Sequence, residues 1–342
     1  MFSSSTKENL IELISKELCR RFESNKCGRS FVVTSKTPVP EEVKNGVRIK
    51  RRDLASYFDE ADYAIPQHVH SLLTDEGKKS VKALSSDMDV FVLLCRFLSQ
   101  SWKDKDLYMD SFSSESKVMN INKSVEARQD IIKSLVGLHA ISGCNTVPSM
   151  FGIGKAKSIA AVEKVPLKHL GEIKASIDDV IHEGKKFAAK YFGQPNISSS
   201  KNRKSIWINK TDGAKETAKP PTLKSLPPTD EALELNIKRA HFMACLWKAS
   251  VTGIPPMLDP CDFGWVKDGE SLRPTMIPTG IDIAPPQVLQ TTSCKCPSSQ
   301  CNNNRCGCFK IGSKCTEVCG CHDCENLIDV ADDSESEDES EQ

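Results

Sequence analysis

Apolar residues recur at three- and four-residue spacing from Asn9 to Leu18, which predicts an amphipathic helix. Ser30–Thr34 reads Ser-Phe-Val-Val-Thr, a short strand. Tyr63–Leu73 has helical spacing in spite of Pro66, and Val81–Ser85 reads as a second strand. Val90–Leu98 is almost continuously apolar, as in a buried helix, and Val118–Ile121 predicts a third strand. Between Ser124 and Ala140, Val125, Ile131, Ile132, Leu135 and Leu138 share one face, so a long helix capped by Ser124 is expected. A turn follows, then a second helix from about Lys155. Strands alternating with helices predict an α/β domain over residues 5–195.

The pattern then changes. Residues 196–230 are rich in Ser, Lys, Thr and Pro, with Pro220-Pro221 and Pro227-Pro228, and read as a basic linker. Glu231–Lys248 is helical again, with Ala240, Met243, Ala244 and Trp247 at core spacing, and Ile254–Gln290 is Pro-rich and irregular. Residues 328–342 read as a disordered acidic tail. The formal charge of the 342 residues is zero, yet Asp332–Gln342 holds seven acids and no base, leaving +7 on the remainder. A basic body suits a polyanion such as DNA. No apolar run reaches the length of a membrane span, and no signal peptide follows Met1.

Nine of fifteen cysteines are clustered: Cys294, Cys296, Cys301, Cys306, Cys308, Cys315, Cys319, Cys321 and Cys324. An odd number would strand one thiol in a disulfide framework. Without a secretory signal a reducing compartment is expected, nucleus or cytosol, where clustered cysteines bind metal. Zinc takes four thiolates in a tetrahedron. Three ions need about twelve ligand positions, which the nine cysteines supply if three sulfurs bridge two ions each. The segment has almost no apolar residues, so metal must supply its folding energy. His322 lies inside it as an accessory position.

This spacing resembles the tesmin-type CXC domain of nuclear DNA-binding proteins over residues 291–327, including Cys315-Thr316 and the closing Cys324-Glu325-Asn326. The resemblance implies a small, irregular, zinc-stabilised module, DNA as partner and a nuclear location. Family members insert a tyrosine, just before the fourth cysteine, into the minor groove; here Arg305 stands there, in a single copy of a module that DNA binders usually carry twice. Arginine favours a narrow, electronegative minor groove. Lys295, Arg305, Lys310 and Lys314 are the expected phosphate-facing bases.

Two acidic clusters precede the linker: Asp59-Glu60-Ala61-Asp62 ahead of a helix, and Asp87-Met88-Asp89 directly after the Val81–Ser85 strand. Carboxylates at a strand end in an α/β sheet are placed to hold Mg²⁺ or Mn²⁺. A third element is Gly143-Cys144-Asn145 followed by Gly152-Ile153-Gly154-Lys155-Ala156-Lys157 between two helices, a hairpin over about 124–165. Its backbone N–H groups, with Lys155 and Lys157, are expected to grip a phosphate.

In this order the elements resemble the flap-endonuclease-like branch of the PIN fold. That resemblance implies Glu60, Asp62, Asp87 and Asp89 as Mg²⁺ or Mn²⁺ ligands, and a helix-hairpin-helix at Gly152, Gly154, Lys155 and Lys157. Asn145 stands where the family has a further acid, and the family's first strand, ending in another aspartate, would lie ahead of Met1. Large proteins joining such a domain to a CXC tail, many from mobile elements, look similar along the whole chain, including Ile237-Lys238-Arg239-Ala240-His241 to Trp247 and Pro260 to Trp265. The expectation is a DNA- and zinc-binding protein with a catalytically impaired nuclease-like domain. The alternative is a non-enzymatic chromatin or DNA-binding adaptor acting through the CXC module. His139 and the scattered Cys19, Cys27, Cys95, Cys144, Cys245 and Cys261 are expected only to pack.

Overall fold

Helix α1 (Ser4–Ser24) begins the chain, and it turns Ser15 and Cys19 inward while Leu10, Leu13 and Ile14 stay exposed. It lies on an antiparallel sheet of β1 (Ser30–Val33), β2 (Glu41–Lys44) and β3 (Val47–Lys50). Cys19, Val33 and Val43 form a small core there, flanked by stacked Phe22 and Phe31 rings 4.1 Å apart. Asn45 and Gly46, with φ of 52° and 81°, make the two-residue turn whose positive φ angles match strand twist. This computed structural model describes residues 4–24, 28–58, 60–111, 118–150, 154–194, 197–211, 225–269, 271–276, 294, 296, 301–310, 314–315, 319–321 and 324–326. Gly152, Asp59, Cys27, Lys295 and His322 lie outside the described residues. The chain forms two units, Met1–Met276 and Ile277–Gln342.

The main core of the first unit surrounds a second sheet. Strands β4 (Ser80–Leu84) and β5 (Asp106–Asp110) are parallel, with Leu84 opposite Asp110, and β6 (Met119–Asn120) adds an antiparallel edge. Helix α2 (Ala61–His70) precedes β4, and α3 (Met88–Ser101) links β4 to β5. The apolar run that predicted α3 is sequestered: Val90, Leu93, Leu94 and Leu98 are buried. Parallel strands joined by a helix bear out the α/β expectation.

The long helix expected over Ser124–Ala140 is two shorter ones, α4 (Ile121–Ala127) and α5 (Leu135–Ile141), separated by a tight turn at Ile132–Ser134. Asn120, not Ser124, caps α4, accepting from Lys123 N–H at 3.1 Å. Arg128 unwinds the chain (φ −133°, ψ 38°) and pairs with Asp130 and Glu163 instead of continuing the helix. Ile131 and Ile132 are nevertheless buried, so the apolar period survives the break.

Helix α6 (Lys155–Val162) starts where expected, and α7 (Ile177–Tyr191) is a further helix that the patterning did not single out. The segment read as a linker contains α8 (Ser199–Thr211). Helix α9 (Asp230–Lys248), capped by Thr229, sends Leu233, Ile237, Ala240, Ala244 and Trp247 into the same core as α5 and α7. Residues 231–276 are therefore continuous with the α/β core rather than a separate segment, because α9 is apolar on the face that meets α5 and α7. The described part of the Pro-rich stretch includes a hairpin, β7 (Trp265–Asp268) and β8 (Ser271–Pro274). No described helix is long and apolar enough to cross a membrane.

Among the described residues of the second unit, Gly307–Lys310 form a short helix, α10. Its buried described side chains are eight of the nine clustered cysteines and Asn326. It has a core of sulfur.

Candidate metal centres

Every clustered cysteine is a free thiol. Three overlapping groups of four bring their sulfurs within 4.8 Å of one another: Cys294, Cys308, Cys315 and Cys319; Cys294, Cys301, Cys306 and Cys315; and Cys301, Cys315, Cys321 and Cys324. Pair distances include Cys294–Cys301 at 3.8 Å, Cys308–Cys319 at 3.7 Å, Cys321–Cys324 at 3.6 Å and Cys306–Cys315 at 4.0 Å. Four thiolates about 2.3 Å from a tetrahedral zinc stand about 3.8 Å apart. The donor set fits zinc. Cys296 packs against the cluster beside Cys294, Cys301 and Cys306.

Local sequence explains the placement. The C-x-C steps Cys306-Gly307-Cys308 and Cys319-Gly320-Cys321 each divide their two sulfurs between different four-sulfur groups, and α10 is a single turn started at Cys306, whose N–H reaches Asn303 O at 3.0 Å. Backbone N–H groups of Phe309 and Cys308 hold the Cys306 thiol down to about 6, whereas burial pushes Cys308 up to about 12. Asn326 closes the module: its carbonyl accepts from Cys315 N–H at 2.6 Å and its Nδ2 donates to Cys315 Sγ at 3.4 Å. An amide donor on a ligand sulfur stabilises the thiolate and fixes its direction. Sequence reasoning noted Asn326 only as part of a motif. Arg305, Lys310 and Lys314 are exposed, with no acidic partner among the described residues.

In the first unit, Asp62 stands in the first turn of α2, Asp87 caps α3 by accepting from Asp89 N–H at 2.8 Å, and Asp89 follows in the first turn of α3. Oxygens of Asp62, Asp87 and Asp89 lie within 4.8 Å of one another, all half-buried. The fourth expected acid, Glu60, is exposed and lies outside this group of three. Burial, then the charges of Asp87, Asp89 and Glu60, push the Asp62 carboxyl up to about 6. Asp110, at the end of β5, was not singled out from sequence. It is buried, accepts from Lys82 Nζ at 3.2 Å and leaves Oδ1 without a partner among the described residues.

His139 packs as expected but does more. Its Nε2 reaches Asp89 Oδ1 at 2.6 Å, and Lys155 Nζ lies 3.3 Å from its Nδ1. An ammonium can only donate, so Nδ1 accepts and the Nε2–H is left to donate to Asp89. Lys155 also donates to the His139 carbonyl at 3.2 Å, Ser142 Oγ at 2.8 Å and the Gly143 carbonyl at 2.8 Å. The Lys155 side chain, expected to meet a phosphate, is bonded to the C-terminal end of α5, where a cation offsets unpaired carbonyls, while the residue itself stays exposed. Gly154 and Lys157 remain exposed beside it, and Asn145 lies exposed in the preceding loop.

Fold and sites together define a mixed α/β protein carrying a C-terminal cysteine-rich module built to bind zinc. Residues 291–327 match the family model of the Tesmin/TSO1-like CXC domain, a cysteine-rich domain. Searches of curated proteins and of solved structures found no significant match to the chain.

Proposed function

We propose that the chain is a nuclear DNA-binding protein whose C-terminal module is folded by three zinc ions. The observation that carries this is the set of three overlapping four-cysteine groups inside the CXC match. One ion would take Cys294, Cys296, Cys301 and Cys306. A second would take Cys294, Cys308, Cys315 and Cys319, and a third Cys301, Cys315, Cys321 and Cys324. Cys296 enters the first set because Cys315 would otherwise serve three ions, and Cys296 already lies against the other members. Cys294, Cys301 and Cys315 then bridge, and all nine sulfurs are used. Bound zinc supplies cross-links that stand in for an apolar core. Arg305 at the module surface, with Lys310 and Lys314, would meet the DNA backbone and a narrow minor groove. Native mass spectrometry and salt-dependent DNA binding of the zinc-loaded chain test this together. Three zinc ions per chain, and DNA binding lost with the metal, are the expected results; a metal-free or disulfide-linked module, or unaltered DNA binding after chelation, would sink it.

The crowding of Asp62, Asp87 and Asp89 favours a second component. The first unit would be a flap-endonuclease-like PIN domain holding Mg²⁺ or Mn²⁺ on these carboxylates, a cation relieving the repulsion that raises Asp62. Such ions supply activated water and charge neutralisation for phosphodiester hydrolysis. His139 would orient Asp89, and Lys155 would fix His139. Asn145, a neutral residue where that family has an acid, would leave hydrolysis weak. Cleavage of flap or single-stranded DNA with Mg²⁺ or Mn²⁺, abolished by Asp87→Ala, would establish a nuclease. No cleavage with either ion would leave a DNA-binding adaptor acting through the CXC module.

A further inference from the structure

The segments Ile237–His241 and Pro260–Trp265 join in space. Arg239 of α9 donates from Nη1 to the carbonyls of Gly264 and Thr275, both at 3.1 Å, and the His241 and Phe263 rings lie 5.7 Å apart. Arg239 is 94% buried (relative exposure 6%), and its Nε has no partner among the described residues. It has no acidic partner there either. One turn earlier on α9, Asn236 is 7% exposed and its Oδ1 is also unpartnered among the described residues. A buried guanidinium without a counter-ion loses much of its solvation, and two carbonyl acceptors offset only part of that loss.

Both side chains line a cavity of about 660 Å³, within the range of small-molecule sites. Its walls are mainly apolar, with Met150, Phe192 and Leu226, and Arg203 contributes a second guanidinium. None of the described lining residues is acidic. Two cations match a dianion better than a carboxylate, the buried Asn236 oxygen needs an N–H or O–H donor, and the apolar wall needs a ring or chain to cover it.

We propose that this cavity binds a small phosphate monoester carried on a hydroxyl-bearing apolar ring system, a nucleoside monophosphate in class, with its phosphate on Arg239 and Arg203. The site owes nothing to the zinc module or to the three aspartates, so its failure would leave those readings untouched.

Calorimetric titration of the full, zinc-loaded chain tests it with thymidine 5′-monophosphate, thymidine and inorganic phosphate. The monophosphate should bind saturably, and thymidine and inorganic phosphate each at least tenfold more weakly. Arg239→Gln should weaken the monophosphate by roughly tenfold to a hundredfold, the worth of a charge-assisted hydrogen bond. Because Arg239 also holds the β7–β8 hairpin, Ala232→Trp provides a second variant that fills the cavity and keeps the arginine. It should abolish binding while circular dichroism stays unchanged. No saturable binding of the monophosphate, equal binding of thymidine or inorganic phosphate, or binding undiminished in both variants would overturn the proposal.

Discussion

Replacing Cys315 by serine should cost the cysteine module more zinc than replacing Cys296 by serine. Cys315 belongs to all three four-sulfur groups, lies 3.9 Å from Cys294 and 4.0 Å from Cys306, and receives the Asn326 amide at 3.4 Å. Cys296 sits at the periphery, half-exposed, beside three sulfurs. A four-thiolate zinc site in a small module contributes about 10–16 kcal/mol, so one ligand is worth about 3 kcal/mol, or roughly a hundredfold in affinity. Losing a bridge weakens two ions by that factor and losing a terminal ligand weakens one. Native mass spectrometry during titration with a zinc chelator reads the difference directly. Wild type should release three ions late; Cys315→Ser should release two early and Cys296→Ser one. If the two variants shed the same number of ions at the same chelator concentration, the bridging assignment is wrong.

Other consequences are as direct. Lys155→Gln should lower the thermal midpoint but leave the salt dependence of DNA binding unchanged, since Lys155 Nζ is engaged by α5; Lys310→Gln should reduce the slope of log K against log salt by about one. A matching drop for Lys155→Gln would restore it as a phosphate contact. His241 is buried with its pKa pulled down to about 4, mainly by burial and further by Lys248, while Gly171 N–H donates to its Nδ1 at 2.9 Å. The unfolded chain takes up that proton first, so this stability is complete above about pH 6.5 and is lost as pH falls through 4, roughly 3 kcal/mol in all. Urea titrations across that range should steepen with acid in wild type and flatten in His241→Gln; parallel curves would refute the assignment. Gly184→Ala should destabilise the first unit. A Cβ there would lie 2.7 Å from the fully buried Ile237 side chain, and overpacking of about 1–3 kcal/mol exceeds the helix-propensity gain of about 1 kcal/mol. A raised urea midpoint would show that α7 and α9 are not packed this closely.

Much of the fold was legible because the code for it is local. Val90–Leu98 and Glu231–Lys248 carry unbroken apolar spacing, and both are helices with buried faces. The failures share a cause. β2 reads Glu-Glu-Val-Lys and owes its strand conformation to pairing with β1 and β3 across the Asn45-Gly46 turn, so its own residues give little signal. The break after α4 depends on Arg128 reaching Glu163, 35 residues away. α8 was hidden by a composition of Ser, Lys and Asn that suits a linker equally well.

The amino-acid order alone determined the zinc chemistry of the C-terminal module, because nine thiolates at such short separations have few ways to satisfy tetrahedral ions, and it located the two aspartates that flank the first turn of α3. Only the tertiary structure decided that Glu60 stays outside the group formed by Asp62, Asp87 and Asp89, that His139 supports Asp89, that Lys155 is bonded to the end of α5 and that Arg239 is buried without an acid among the described residues. Those facts depend on which faces of α2, α3, α5, α6 and α9 meet, and on how water is excluded between them. Spacing along a chain records neither.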